Sequence, residues 1–200
     1  IYEVSTMFRQ QLRLAEKERM TAVIEAWLSL EERRLVDFSV AAVEQDRVVQ
    51  IGPLRVRVRA DRVDQLAGGG LLLIDYKSGK PRAEHLMGDR PEAPQLLVYA
   101  ATATEAVDGV CFAKLSPRAE EAVGYVRRAH FGGSKETPLG LEWGIYLDQS
   151  KRTVTALACS FAEGVAVVDP RNRKACEYCA MKPLCRIEEQ RKNSADNGDE

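Results

Sequence analysis

The chain has 200 residues, 29 basic and 30 acidic, for a formal net charge of −1. That balance excludes a global electrostatic pull toward nucleic acid or an anionic membrane, so any polyanion partner must be held by a local patch. Hydrophobic residues make up 45% and charged residues 30%, ordinary for one globular domain, and no apolar run approaches the roughly 20 residues of a membrane helix.

No basic stretch followed by an apolar one opens the chain, and five cysteines clustered toward one end do not read as a secreted disulfide framework. A reducing, cytoplasmic setting is expected. The chain opens on Ile1 and runs directly into a helical pattern, so a fragment of a longer protein is expected, with a single domain over residues 1–189.

From Val4 to Arg34, apolar residues recur at three and four (Val4, Met7, Phe8, Leu12, then Val23, Ile24, Trp27, Leu28), which predicts one long or two shorter amphipathic helices. Residues 36–52 are rich in β-branched types and close on Gly52-Pro53, predicting strands at a sheet margin. LRVRVRADRVDQL (54–66) alternates, with Leu54, Val56, Val58 and Ala60 on one face and Arg55, Arg57, Arg59 and Asp61 on the other; it reads as a half-buried strand. AGGG (67–70) supplies positive-φ residues for a tight connection, and LLLIDYK returns as a strand apolar on both faces. The two make an antiparallel hairpin whose second strand is central.

PQLLVYAATATEA (94–106) predicts a helix with Pro94 in its first turn. Residues 108–117 and 121–129 read as two more strands, and Leu141, Ile145, Thr153, Leu157 and Phe161 predict a helix ending at Gly164. Residues beyond Glu189 are polar and predict a disordered tail over 190–200. The order gives an α/β fold, a mixed sheet with helices packed on it and a C-terminal cysteine-rich segment over 170–189.

The chemistry concentrates in LLLIDYKSGK. Residues two apart in a strand share a face, so Asp75 and Lys77 project together and Tyr76 oppositely. A three-residue loop Ala67-Gly68-Gly69 sets Asp61 opposite Asp75 and leaves Asp64 on the other face. Two carboxylates on adjacent strands repel unless a cation lies between them. Oxygen ligation suits Mg²⁺ or Mn²⁺, with Lys77 alongside to orient a water or offset transition-state charge. The bland alternative is a charged strand end dipping into solvent.

RADRVDQL, IDYKSGK and PQLLVYA together resemble the signature of the PD-(D/E)xK nuclease superfamily in its RecB and AddB branch, in which a GRIDRVD-like strand precedes DYKTG and a QLPLYA helix follows. The resemblance implies a restriction-endonuclease-like fold and DNA cleavage with Asp61 and Asp75 as metal ligands and Lys77 as the motif lysine. Gln95 and Tyr99 match the QxxxY positions. Asp64 aligns with the second aspartate, which is usually not a ligand. Val58 and Ala60 depart from the Gly and Ile common there, and a further His or Glu that members often carry on an early helix has no clear equivalent. The likeness spans most of the chain and extends to a bacterial group of DNA repair proteins with a C-terminal nuclease domain, implying work in recombination or repair beside a helicase. A nuclease-inactive module that binds DNA ends or serves as a scaffold is the alternative.

Gln95 and Tyr99, four apart, share one helical face. Tyr99 suits stacking on a base or sugar and Gln95 a bond to the scissile phosphate; a core aromatic and a surface amide are the other reading. Cys176, Cys179 and Cys185 are spaced as a metal-ligand set that needs a fourth ligand, for zinc or a [4Fe–4S] cluster. In AddB-like nucleases three cysteines at this spacing hold such a cluster with one far upstream, which implies a cluster in the full-length protein and an incomplete site in this chain; Cys111 and Cys159 read as packing residues. The stripe Arg55, Arg57, Arg59 fits either phosphate contact or a solvated strand face. Glu44 reads as a surface carboxylate, with an extra metal ligand as the alternative, and His85 and His130 have no nucleophile context for a triad.

Overall fold

The computed structural model describes residues 6–117, 122–128, 135–136 and 142–187. The tail expected after Glu189 and the ends of several expected elements lie outside them. The chain divides into two compact units, Ile1–Cys159 and Ser160–Glu200.

The first unit opens on one helix, α1 (Thr6–Glu31), where the sequence allowed one or two. Only Val23, Trp27 and Leu30 of it are buried, the spacing of a single face at its C-terminal end. The block expected to hold several strands is a single one, β1 (Phe38–Ile51). It turns through Gly52, at φ +52°, and Pro53 into β2 (Leu54–Leu66). The positive φ suits a residue without a Cβ, and proline lacks only a donor that a two-residue loop leaves unused.

β2 pairs antiparallel with β3 (Leu71–Lys77), from Arg62 opposite Ile74 to Gln65 opposite Leu71. This is the register a three-residue loop dictates: Leu66 N–H donates to the Gly70 carbonyl at 3.1 Å, and Gly69 takes φ +82°. A crossover through α2 (Gln95–Ala101) leads to β4 (Val107–Lys114), parallel to β3. The helix expected to reach residue 106 stops at Ala101, where the Thr102 hydroxyl bonds the Val98 and Tyr99 carbonyls. β5 (Ala122–Val126) returns antiparallel to β4, and the two-residue β6 (Lys135–Glu136) is parallel to β5. Gly124 lets β5 approach β4, since a Cβ there would collide with the Val110 carbonyl and Cys111. Among the described residues the sheet runs β1-β2-β3-β4-β5-β6, with β3 and β4 central, and α3 (Trp143–Ala162) follows it in the chain.

Both sheet faces are buried around β3. Leu71 and Leu73 pack with Leu96, Leu97, Phe112, Tyr146 and Val154 under α2 and α3. Leu72 and Ile74 pack with Trp27, Leu30 and Cys111 under α1. Such a strand, apolar on both sides, is what LLLI signals. The mixed sheet flanked by helices is the restriction-endonuclease-like α/β arrangement expected from the sequence.

Along β2 the alternation fails once. Val58, Ala60 and Val63 all join the α2 face, whereas Leu66 joins the α1 face, so strict two-residue periodicity breaks between Ala60 and Val63. On the partner strand, the ladder pairs Val43 with Arg62 and Gln45 with Ala60 and passes over Glu44, whose φ is +47°. Irregularities of this kind re-aim side chains locally. They correct one expectation: Asp61 stands at the break and does not simply continue the arginine face. Arg55, Arg57 and Arg59 lie on the face opposite Val58 and Ala60, while Asp75 and Lys77 follow Leu71 and Leu73 onto the α2 face. Arg57 and Arg59 nonetheless border the same cavity as Asp75 and Lys77.

Candidate functional site

Asp61, Asp75 and Lys77, three of the residues that the sequence singles out, meet at the C-terminal end of β3. Asp75 is only 3% exposed, and Lys77, on the same side two residues on, brings Nζ to 2.7 Å from Asp75 Oδ2. The lysine side chain is 43% exposed and the carboxylate 4%, so the pair runs from the interior to the surface. Asp61 comes from the neighbouring strand, and its Oδ2 accepts the Tyr76 N–H at 2.8 Å.

Burial pushes the Asp75 carboxyl above its ordinary range; Lys77 works against that shift, and the negative charge of Asp61 adds to it. Asp75 Oδ2 is buried against the Lys77 ammonium. A buried carboxylate is costly unless its charge is matched. Two carboxylates, one buried beside a half-exposed ammonium and one partly open, fit a single hard divalent cation whose remaining positions go to water. They amount to two ligands: among the described residues no three His, Cys, Asp or Glu side chains converge as a metal-holding group. Glu44 is not a third, because its side chain is 71% exposed and paired with Arg59.

Gln95 lies at the first turn of α2, exposed, and its Nε2 donates to the Arg59 carbonyl at 2.6 Å. It lines, with Asp75, Lys77, Val58, Val98 and Phe112, a cavity of about 750 Å³ between β2, α2 and α3. Tyr99 is elsewhere. At 2% exposure it belongs to the core, its hydroxyl donating to Gln45 Oε1 at 3.1 Å and the Arg47 guanidinium 5.3 Å from its ring centre. This is the placement of the core-aromatic reading of Tyr99. One helical face thus sends its first residue to the cavity and the next turn's residue to the core.

A second charged cluster lies on the other side of β3, and sequence reading missed it. Asp64 is fully buried and takes Arg34 Nη1 at 2.6 Å and Arg62 Nε at 2.6 Å. Arg62 also donates from Nη1 to Glu31 Oε1 at 2.6 Å and to the Tyr76 hydroxyl at 3.2 Å. Burial opposes its charge, but the bonds to Asp64 and Tyr76 outweigh that and hold the guanidinium above its ordinary range. Phe38 carries the Arg34 guanidinium 3.5 Å above its ring centre and that of Arg62 at 5.3 Å. The signal in the sequence was Arg62 and Asp64 at i, i+2 inside a strand with buried neighbours, a pairing the pattern contains but the α1 partners Glu31 and Arg34 do not announce.

In the second unit, Arg173–Cys176 forms a 3₁₀ turn capped by Asn172 Oδ1, which accepts the Ala175 N–H, and α4 (Lys182–Cys185) follows. Cys176, Cys179 and Cys185 are free and half-buried. The Met181 N–H donates to Cys179 Sγ at 3.4 Å, but the three thiols do not gather as a metal-holding group. A cluster reading for them rests on spacing and resemblance.

No helix among the described residues is long and apolar enough to cross a membrane. The family model of the PD-(D/E)XK nuclease superfamily matches residues 2–186. No curated protein matches the chain.

Proposed function

This chain belongs to the PD-(D/E)XK nuclease superfamily, and we propose that it hydrolyses DNA phosphodiesters with Mg²⁺ or Mn²⁺ held by Asp61 and Asp75. The observation that carries the reading is the buried Asp75 carboxylate with its Oδ2 2.7 Å from the ammonium of Lys77, on the strand next to Asp61. A divalent ion bound there supplies Lewis acidity toward the scissile phosphate and makes water a better nucleophile at neutral pH. The protein's own part is positional. Asp75 presents a dehydrated carboxylate whose interactions are strong because water is excluded. Lys77 extends from that carboxylate to the surface, where its charge offsets the negative charge that builds on the phosphoryl oxygens. Gln95 borders the same cavity and ties α2 to the β2 backbone.

The RecB and AddB likeness of RADRVDQL, IDYKSGK and PQLLVYA supports a place in recombination or repair, beside a helicase and in the cytoplasm. The spacing of Cys176, Cys179 and Cys185 supports a [4Fe–4S] cluster completed by a cysteine from elsewhere in a longer protein. The test is a nuclease assay of the longest available chain with Mg²⁺ and Mn²⁺. Asp75→Ala and Lys77→Ala are expected to remove cleavage and leave the fold; cleavage unchanged in either refutes the site. The same protein, purified anaerobically, is expected to carry iron. Among the described residues no three His, Cys, Asp or Glu side chains gather as a metal-holding group, which favours one second reading, a DNA-end-binding module without cleavage; metal-independent binding with no product in any metal selects it.

A further inference from the structure

Asp75 and Lys77 can act only if the end of β3 is held at one rotation, and its two edges are held differently. On the β4 side pairing is complete: Asp75 with Phe112, Tyr76 with Ala113, Lys77 with Lys114. On the β2 side the ladder ends at Arg62 opposite Ile74. Beyond that pair, β2 reaches β3 through Tyr76, whose N–H bonds Asp61 Oδ2 and whose hydroxyl accepts from Arg62 Nη1. Its ring stands edge-on to Trp27 of α1, with centres 5.8 Å apart and planes at 82°. Arg62 cannot wander, because Asp64 takes its Nε and Glu31 its Nη1, both at 2.6 Å.

We propose that Arg62, clamped by Asp64 and Glu31, is a positioning residue that acts through the Tyr76 hydroxyl to set the rotation of β3 and so aim Asp75 and Lys77 at the metal and the scissile phosphate. This rests on the nuclease reading above. Because side chains alternate along a strand, any roll of Tyr76 on one face carries Asp75 and Lys77 with it on the other. The carboxylate oxygens of a metal site tolerate only small errors of direction, and the groups that orient ligands typically matter 10- to 100-fold for affinity or rate. The helix α1 thereby becomes part of the site although it contributes no group to it: Glu31 and Trp27 set the two residues that set Asp75.

The test uses the full chain and two conservative variants. Tyr76→Phe keeps the ring against Trp27 and removes the acceptor; Arg62→Lys keeps a charge for Asp64 and loses the fork that reaches Tyr76. Mn²⁺ affinity is read by titration calorimetry, and kcat and KM on an oligonucleotide. Each variant is expected to weaken Mn²⁺ binding and lower kcat by about 10-fold, with KM unchanged and the protein still folded, and the double variant to cost no more than the worse single one. Tyr76→Phe with wild-type Mn²⁺ affinity and kcat overturns the positioning role, as does a variant that loses only thermal stability. A wild type that binds Mn²⁺ without cleaving removes the nuclease reading and leaves the metal-affinity arm decisive. A wild type that neither binds Mn²⁺ nor cleaves overturns both.

Discussion

Asp61 and Asp64 stand three residues apart on one strand and live in opposite electrostatic worlds. Asp64 is fully buried and answered by two arginines, with two contacts of 2.6 and 3.2 Å from Arg62 and one of 2.6 Å from Arg34. Asp61 is half-buried with one backbone donor, and its neighbour Asp75 is buried with the half-exposed Lys77 ammonium against its Oδ2. A carboxylate whose charge the protein has fully matched is a structural part. One whose charge is left over is a place for something the chain does not supply.

The contrast breaks most visibly on removing each carboxylate in turn. Asp64→Ala removes the carboxylate that buried Arg34 and Arg62 share and leaves Arg62 with Glu31, a loss of about 3–5 kcal/mol, or a melting temperature lower by roughly 10 °C for a chain of this size. Asp61→Ala is expected to stay within about 1 kcal/mol of the wild type while cleavage disappears. Thermal melts and a Mn²⁺ nuclease assay on both proteins read the exchange, and an Asp61→Ala protein as unstable as Asp64→Ala erases the distinction.

A smaller effect, with a sign that depends on pH, sharpens it. Burial raises the Asp75 carboxyl in the folded protein, so the native state keeps that proton after the unfolded chain has released it. Where the native state binds more protons, stability falls as pH rises: the loss runs from the ordinary carboxylate range up through the raised folded value. Asp75→Asn mimics the protonated form. Without divalent ions it is expected to melt a few °C above the wild type at pH 7, the advantage closing in acid below the ordinary carboxylate range. Mn²⁺ is expected to raise the wild-type melting temperature and leave that of Asp75→Asn where it was. An advantage that grows in acid contradicts the burial account.

The α2-side site was the more legible of the two in the sequence because its determinants are local. A three-residue loop fixes the hairpin register, and the register alone brings β2's Asp61 to the Asp75 end of β3. The α1-side cluster was not legible, since Asp64 is neutralised by Arg34 and Arg62 by Glu31, about thirty positions upstream, and only packing of α1 on the sheet brings them together. The break in alternation at Asp61 was hidden for another reason. Its partner irregularity sits at Glu44, an unpaired non-glycine at φ +47° on the opposite strand, and a pattern of alternating residue types carries no mark of a twisted backbone on the partner strand. The fold class and the buried β3 strand were readable because LLLI and its flanking turns are strong short-range signals.

The mildest expected change concerns the helix that closes the site. Gln95 and Tyr99 share a face by spacing, yet one borders the cavity and the other is 2% exposed in the core. Tyr99→Phe removes one hydroxyl bond, to Gln45, whose exposed amide can turn to water. The net worth of such a bond is about 0.5–1.5 kcal/mol, and a partner free to rehydrate puts this one toward the lower figure. Its ring, its packing and the Arg47 guanidinium above it all survive the substitution. Cleavage is therefore expected within about twofold of the wild type, less than 0.5 kcal/mol of barrier. If Tyr99→Phe melts like the wild type yet cleaves ten times more slowly, its hydroxyl acts on the reaction, and the division of α2 between cavity and core is wrong.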